Sequence, residues 1–291
     1  MKDSNSLKKF LEEHRVKDGE YTHTSISGGK YFIKEEEYNS FINIYTNTIF
    51  NEKITPHIIE KHKDVGPIVI DIDFRFDISN NNERVYTLQN IKDIIKIYDD
   101  VIKNTLHNVD NPISMVFEKS KPYIDRNLLK DGIHIMYPSI ITSPNYQYYL
   151  RECVIEKIGD IIKEINPKNE IKDIIDKAVI YNNGWIMYGS SKPNKEPYKL
   201  THIFKDTVEL DIKDIPDFKE EILPKILSIR YDNGNKEYEY KENIIPIIEK
   251  YNINGKKLSN TQLKKLKSTT ETINKDDLDT ISRLVNILSI E

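Results

Sequence analysis

Apolar and polar residues alternate most regularly between residues 66 and 77, where the sequence reads GPIVIDIDFRFD. A period of two residues is typical of a β-strand whose two faces differ. One face would carry Ile68, Ile70, Ile72, Phe74 and Phe76, and the other Val69, Asp71, Asp73 and Arg75. Asp71 and Asp73 then lie on one face, about 6–7 Å apart, because a strand rises by about 3.3 Å per residue.

The spacing of apolar residues elsewhere predicts further helices and strands. Helices are predicted over 6–14, 35–50 and 90–106, and strands over 113–118 and 132–138. Ser143 and Pro144 predict the start of another helix, because a hydroxyl N-cap followed by proline favours helix initiation. Asn-Asn-Gly at 182–184 predicts a hairpin within 174–193. Helices mixed with hairpins, without regular βαβ repeats, predict an α+β fold.

The two like charges in the apolar strand allow two interpretations. Asp71 and Asp73 could belong to a solvated outer face, where alternating charges are common. They could instead hold a divalent cation, because hard carboxylate oxygens are the ligands that Mg²⁺ and Mn²⁺ prefer. Neighbouring carboxylates raise each other's cost of ionisation unless a cation or solvent offsets it.

Composition narrows the class of protein. The chain has 291 residues, enough for one sizeable domain with appendages, and no apolar run long enough to span a bilayer, so no membrane partner is expected. Cys153 is the single cysteine, which excludes an internal disulfide and a cysteine-based zinc site and favours a reducing, intracellular setting. The net charge of −4 means that local patches would have to hold any polyanion.

Three further places could carry chemistry. His134 lies between Ile133 and Ile135 and so on the polar face of its strand, with Lys130 and Gly132 just before it; a structural histidine is the alternative. Asp176 follows an apolar pair and enters a predicted strand, although it could simply end a helix.

The segment 189–193, GSSKP, is a small-residue turn that suits phosphate oxygens, but such turns are common. Together with the residues above, it completes an inventory of three carboxylates, a histidine and a Ser-Ser-Lys turn. Two-metal phosphoryl transfer requires such an inventory.

The order of these motifs resembles the archaeo-eukaryotic primase superfamily, whose motifs are DxD/E, SxH and a later Asp. VIDIDFRF, KDGIHIMYP and IIDKAVIYNNGWIMYGSSKP resemble motifs I, II and III. The segments 22–33 and 225–230 are also similar to proteins of giant viruses, so the resemblance spans about 20–230. It points to the primase–polymerase domain at the N-terminus of primase–helicases of large nucleocytoplasmic DNA viruses.

The resemblance implies a role for each matching residue. Asp71, Asp73 and Asp176 would bind two catalytic Mg²⁺ or Mn²⁺ ions. The incoming nucleotide would be bound by Lys130, Gly132, His134, Ser190, Ser191 and Lys192. Two positions depart from the family pattern: Gly132 replaces the usual serine of motif II, and Ile186 stands where cellular relatives have arginine. No zinc is expected in this chain.

The resemblance also implies the fold, partners and setting. A mixed α/β module would join an RRM-like antiparallel sheet, with the active site in the cleft between them. The partners would be single-stranded DNA, nucleoside triphosphates and a C-terminal helicase domain, in the host cytoplasm at a virus replication factory or in the virion. Residues 1–235 would form the catalytic domain, and 236–291 a Lys-rich linker and connecting region that lacks its helicase.

The expected activity is that of a nucleotidyltransferase, a DNA primase–polymerase that makes primers for viral DNA replication. Two alternatives stay open. A metal-dependent nuclease could use the same carboxylates, although no Glu-x-Lys follows the DID motif. A non-catalytic nucleic-acid-binding module could carry the aspartates as a solvated face, although the acidic net charge opposes this.

Overall fold

The computed structural model describes residues 6–78, 83–231, 234 and 236–251. The α-helices are α1 Ser6–Glu13, α2 Tyr38–Phe50, α3 Leu88–Thr105, α4 Pro144–Lys157, α5 Gly159–Ile165, α6 Ile171–Ile174, α7 Leu223–Ile226 and α8 Ile245–Ile248. Short 3₁₀ helices span Glu35–Glu37, Ala178–Ile180, Ile212–Asp214 and Glu220–Ile222. The strands are β1 Arg15–Val16, β2 His23–Ser25, β3 Lys30–Tyr31, β4 Ile58–Glu60, β5 Gly66–Phe76, β6 Ile113–Glu118, β7 Tyr123–Asp125, β8 Leu128–Thr142, β9 Trp185–Ile186, β10 Lys199–Lys205 and β11 Val208–Leu210.

The strands form two antiparallel sheets, which together with the helices confirm the predicted α+β fold. The larger sheet has the order β11-β10-β6-β8-β5, with β7 paired to β8, and the smaller has the order β1-β3-β2-β4-β9. Along the chain, β5 is followed by α3, β6, β7, β8 and α4, and the later strand β10 pairs with β6 on the side away from β8. Strand β5 is therefore left at the edge of this sheet.

The predicted two-faced strand is confirmed as β5. Its isoleucines at 68, 70 and 72, with Phe74 and Phe76, join the core that also contains residues of α3 and α4. Val69 points to the opposite face and packs in a second core with Met136 and Trp185. Burying each such side chain stabilises the fold by roughly 1.5–3 kcal/mol. The helices thus cover one face of the sheet, and the aspartates lie on the other.

Helices α3 and α4 begin where their capping residues stand. The Thr87 hydroxyl accepts a hydrogen bond from the Asn90 amide, and Asn90 Oδ1 accepts one from the Thr87 amide, so two backbone donors at the start of α3 are satisfied. The Ser143 hydroxyl accepts from the Tyr146 amide as predicted, although the helical stretch divides into α4 and α5 at Ile158. Such caps contribute about 1 kcal/mol each.

A buried carboxylate ties the smaller sheet to the segment after α7. Glu60 is fully buried, accepts hydrogen bonds from the Ser228 hydroxyl at 2.5 Å and the Ile229 amide at 2.9 Å, and also accepts one from the Tyr38 hydroxyl. Glu60 also pairs across the sheet with Trp185 of β9. This network fixes the position of Trp185, which lies against the larger sheet.

Two predictions about 174–193 are wrong. Asn182 to Gly184 do form a turn, with Gly184 at a φ of +64°. However, a 3₁₀ helix and not a strand lies before this turn, and β9 after it pairs with the distant β4. Asp176 does not enter a strand: it follows α6 and one isolated bridge between Ile72 and Ile175. A local turn signal cannot specify which distant strand supplies the hydrogen bonds.

Residues 236–251 pack on the body of the domain, through the bridge between Leu106 and Tyr240 and through buried Ile244 and Ile248. The proposed domain boundary at 235 stays a prediction. The apolar spacing also predicts a last helix over 276–290. This helix and the rest of the predicted linker and connecting region, residues 252–291, lie outside the described residues. None of the described helices has the length and apolar character needed to cross a bilayer.

Asp99 of α3 is a buried acid that faces the larger sheet. One of its oxygens accepts a hydrogen bond from the Tyr137 hydroxyl at 2.8 Å, and Oδ2 has no hydrogen-bond partner among the described residues. Burial raises the pKa of Asp99 to about 7, partly offset by the Tyr137 hydrogen bond. The folded protein therefore binds a proton on Asp99 more tightly than the unfolded chain does between about pH 4 and pH 7.

We expect this site to lower stability as pH rises from about 4 to about 7. Asp99→Asn removes the titrating group. The difference in melting temperature, variant minus wild type, should therefore grow as pH rises from about 4 to about 7. The total change corresponds to roughly 2–4 kcal/mol in the free energy of unfolding. Thermal melts at several pH values measure this difference. Asp100→Asn, at the exposed neighbouring position, is the matched control; an equal pH trend in both variants would contradict the assignment.

Candidate active site

The register of β5 and β8 places four of the predicted residues opposite one another. Asp71 pairs with His134, and Asp73 pairs with Gly132, in one antiparallel ladder. Residues directly opposite in such a ladder point to the same face of the sheet. Lys130 lies two residues beyond Gly132 on that face, and its ammonium is 2.6 Å from Asp73 Oδ2.

Asp176 approaches Asp71 from the open edge of β5. The Asp176 amide donates to the Asp71 carbonyl at 2.9 Å, and Asp176 Oδ1 accepts from the Ala178 amide at 2.8 Å, which orients its carboxylate. Arg151 of α4 holds this segment by donating to the carbonyls of Ile175 and Lys172 at 2.8 and 2.5 Å. The structure thus brings together the three aspartates that the motifs singled out.

Asp71 carries an unsatisfied oxygen at the centre of this group. Its Oδ1 is buried and has no hydrogen-bond partner among the described residues; His134 Nε2 lies 3.6 Å from it, beyond hydrogen-bond distance. Burial, followed by repulsion from Asp73, raises the pKa of Asp71 well above its usual range, and Asp176 adds to the effect. An orphaned, buried carboxylate oxygen suits a cation as its partner.

Lys130 neutralises part of this negative charge. Burial disfavours its ammonium, but Asp73 outweighs burial, and the pKa of Lys130 is raised. Within the described ranges, no three His, Cys, Asp or Glu side chains are drawn together closely enough to enclose a metal ion. The carboxylates therefore offer ligands for a cation without forming a closed coordination shell, and metal binding stays a prediction.

His134 is enclosed by aromatic rings. Tyr198 stacks on it with ring centres 3.7 Å apart, and Trp185 lies 4.8 Å away on a tilted plane. Burial, together with Lys119 and other nearby lysines, lowers the pKa of His134 to about 3. The imidazole is therefore neutral at pH 7 and offers one donor and one acceptor nitrogen.

Hydrogen bonds within the protein hold the two serines of the Ser-Ser-Lys turn in place. The Ser190 hydroxyl interacts with the Tyr45 hydroxyl at 2.7 Å and accepts from the Ile58 amide at 3.0 Å. Ser191 uses its backbone, bonding to Pro56 and His57. Lys192 is exposed, and its charge acts on Asp71 and His134. Contact of these three residues with a nucleotide stays a prediction.

A row of cations and rings beside the site was not predicted from the sequence. The Lys195 ammonium lies 4.0 Å from the ring centre of Tyr123, and Lys119 lies 4.5 Å from Tyr123 and 5.0 Å from Tyr198. Tyr198 in turn stacks on His134. The sequence predicts a polar, Lys-rich loop over 119–131, whereas β7 and the start of β8 form a hairpin there. Nothing local indicates that residues 195 and 198 return to it.

Arg84 fixes the strand ends that carry these residues. Its guanidinium donates to Asp131 at 2.8 Å, to Glu118 at 2.6 Å and to the Lys119 carbonyl at 2.7 Å. Asp131 precedes Gly132 on β8, and Glu118 precedes Lys119 at the end of β6. One side chain therefore joins the two strands next to the aspartates.

Comparison with known proteins gives a family match over most of this region. Residues 22–204 match the family described as the C962R protein N-terminal AEP domain. The chain is 36% identical over 207 residues to "Putative helicase L207/L206" of Acanthamoeba polyphaga mimivirus, a match that covers 67% of this chain and 21% of that protein. It is 26% identical over 213 residues to "Putative helicase 121R" of Invertebrate iridescent virus 3, covering 65% and 22%. The chain spans about a fifth of the length of these relatives.

The space at Gly132 leads to a testable prediction. A Cβ added there would lie 2.9 Å from the Tyr198 hydroxyl and 3.0 Å from both Asp73 Oδ1 and the Ile72 carbonyl. We expect Gly132→Ala to destabilise the protein by about 1–3 kcal/mol, as overpacking does.

Removing the hydroxyl with Tyr198→Phe should recover part of this loss. Urea denaturation of the two single variants and the double variant measures the coupling between the positions. Additive effects would mean that the Tyr198 hydroxyl does not limit the space at Gly132.

Proposed function

The chain belongs to the archaeo-eukaryotic primase (AEP) family of the C962R type, as its motifs predicted, and we propose that it is a DNA primase–polymerase. It would join nucleoside triphosphates on single-stranded DNA for viral DNA replication. The proposal draws on the family and on the arrangement of charge around β5 and β8. The relatives are named as helicases, so a helicase domain in the full-length protein is part of the same proposal.

The observation that carries this proposal is the arrangement of charge around β5 and β8, with carboxylates grouped on one side and ammonium groups on the other. Asp71 and Asp73 of β5, with Asp176 at its edge, form an acidic half. Lys130 of β8 and Lys192 of the neighbouring loop belong to a basic half, and both lower the pKa of Asp71 through their charge. Nucleotidyl transfer requires such a division, because cations must meet the reacting phosphorus while ammonium groups hold the remaining phosphates.

The acidic half would hold two Mg²⁺ or Mn²⁺ ions through Asp71, Asp73 and Asp176. When bound, these ions would activate the attacking hydroxyl and neutralise charge on the departing pyrophosphate. The unsatisfied Oδ1 of Asp71 supports this role. Lys130 would release Asp73 when the cation is present and turn its ammonium towards the nucleotide.

The basic half would orient the triphosphate. Lys130 and Lys192 would bind its phosphate oxygens, and the neutral His134 would donate one hydrogen bond without adding charge. The hydroxyl oxygen of a 3′ end or first nucleotide then bonds to the α-phosphorus. The bond from that phosphorus to the bridging oxygen breaks, pyrophosphate leaves, and the hydroxyl proton passes to water.

Primer synthesis on unprimed single-stranded DNA tests the proposal. Labelled nucleotides and Mg²⁺ or Mn²⁺ are supplied to the wild type, to Asp71→Ala/Asp73→Ala, and to Asp93→Ala/Asp100→Ala, a control of equal charge change on α3. We expect short products from the wild type and the control, and a loss of at least 100-fold in the first variant, because its cation ligands are gone.

A pre-annealed primer in parallel tubes separates initiation from extension. Extension without initiation would leave a polymerase that needs other parts of the full-length protein to start. Cleavage of labelled DNA without nucleotides would favour a nuclease. Metal-independent DNA binding that Asp71→Ala does not change, with no synthesis in any tube, would favour a binding module.

Cation binding has a separate expected signature in stability. Because burial and Asp73 raise the pKa of Asp71, the ionised carboxylate destabilises the metal-free fold above the unfolded-state pKa. Asp71→Asn should therefore melt at or above the wild-type temperature at pH 8 without metal. Mn²⁺ should raise the melting temperature of the wild type but leave the variant unchanged; an equal rise in both would place the cation elsewhere.

A further inference from the structure

We propose that the β7–β8 hairpin, together with Lys119 and Lys195, is a binding surface for the sugar–phosphate backbone of single-stranded DNA. The inference rests on the proposed function and adds to it the place where the nucleic-acid strand is held. This surface, the hairpin surface, comprises Lys119, Tyr123, Arg126 and Lys195. It is distinct from the nucleotide-binding residues that the motifs implied.

The hairpin extends the strand that carries the site and closes in a tight turn. Asp125 pairs with Leu128, so the loop has two residues, and both of them, Arg126 and Asn127, have positive φ at 49° and 61°. This matches a type I′ turn, whose twist suits a hairpin. Arg126 is exposed at the tip, and Ile124 beside it is 51% exposed. The hairpin is therefore preformed, with its side chains free to meet a partner.

Two lysines of this surface form no ion pair within the part of the chain that the structure describes. Lys119 and Lys195 have no carboxylate within ion-pair distance among the residues that the structure describes, whereas Lys130 is paired with Asp73. Burial and repulsion from Lys130, Lys192 and Lys195 lower the pKa of Lys119 to about 8. Repelling ammonium groups held together by the fold gain most from a partner that carries several negative charges.

Tyrosine rings hold these cations in place. Tyr123 lies beside both Lys119 and Lys195, and Lys119 also contacts Tyr198, so each ammonium is attracted by an aromatic face. Basic residues interleaved with aromatic ones are typical of grooves that follow a single strand. With a net charge of −4, the protein needs such a local surface to approach DNA.

The position of the hairpin favours a nucleic-acid strand over the triphosphate. Tyr123 of the hairpin lies in register with Lys130 of β8 and, beyond it, with Arg75 of β5. Arg75 is four residues from Asp71, so the hairpin lies about 13 Å along β5 from Asp71 at 3.3 Å per residue. The surface is open at this end, because Arg126, Asn127 and Lys195 are all exposed. An open row of cations leading away from the carboxylates fits a chain of phosphates that continues beyond the site.

Equilibrium binding tests the inference without requiring catalysis. Fluorescence anisotropy of a labelled single-stranded oligodeoxynucleotide, without nucleotides, is measured over about 50–200 mM salt. The variants are Lys119→Ala/Lys195→Ala and, with exposed positions only, Arg126→Ala/Lys195→Ala. Lys96→Ala/Lys157→Ala removes the same charge from exposed positions of α3 and α4.

We expect each hairpin-surface variant to bind DNA about 10-fold more weakly, with the slope of log affinity against log salt shallower by about 1.4, and the control to bind like the wild type. Nucleotide affinity, followed by the fluorescence of Trp185, the single tryptophan beside His134, should not change. Melting temperatures confirm that each variant is folded.

Three results would overturn the inference: wild-type affinity in both hairpin-surface variants, equal weakening in the control, or loss of nucleotide affinity with DNA affinity retained. The last would assign these lysines to the triphosphate. Primer synthesis by the wild type is scored separately. If the wild type makes primers and the hairpin-surface variants bind DNA normally, only the hairpin surface is rejected. If the variants bind DNA more weakly but the wild type makes no primers, only the polymerase activity is rejected.

Discussion

The antiparallel pairing of β5 with β8 is the constraint on which the rest of the site depends. The ladder sets Asp71 against His134 and Asp73 against Gly132, and a shift of one residue would exchange the two faces of each strand. The apolar face of β5, which packs under α3 and α4, prevents such a shift because it would move Ile70 and Ile72 out of the core. Core packing on one face therefore fixes the chemistry on the other.

The site combines this fixed register with an unfavourable concentration of charge. Like carboxylates meet on one side, where the pKa of Asp71 is raised, and like ammonium groups meet on the other, where the pKa of Lys119 is lowered. Lys130 and Asp73 form the direct contact between the two sides. Each half would gain from a ligand of opposite charge: divalent cations on the acidic side, and the phosphates of a nucleotide and of a DNA strand on the basic side.

The sequence predicted those parts of the structure that depend on local pattern. The alternation around Asp71, the helix start at Ser143 and the amphipathic helix α3 all follow from residues within a few positions of one another. The failures concern distant partners. Neither the pairing of β9 with β4 nor the return of Tyr198 to His134 has a local signature, since each depends on how the whole chain is connected. The hydrogen bond between the Ser190 and Tyr45 hydroxyls, which joins residues 145 positions apart, likewise has no local signature, and contact of Ser190 with a nucleotide stays a prediction.

The glycine at 132, which replaces the serine of motif II, and the unpredicted position of Tyr198 are linked, because both depend on the same small volume beside Asp73. The family's serine would need space for a Cβ, and the Tyr198 hydroxyl lies 2.9 Å from that position. The Tyr198 hydroxyl thus occupies the volume beside Asp73. This hydroxyl belongs to the segment just before β10, whereas a serine hydroxyl would come from β8 itself. A side chain at 132 would displace Tyr198, and Tyr198 is also the ring that stacks on His134 and contacts Lys119. The aromatic enclosure of the histidine therefore favours glycine at 132, and a larger residue there is expected to cost least when Tyr198 changes with it.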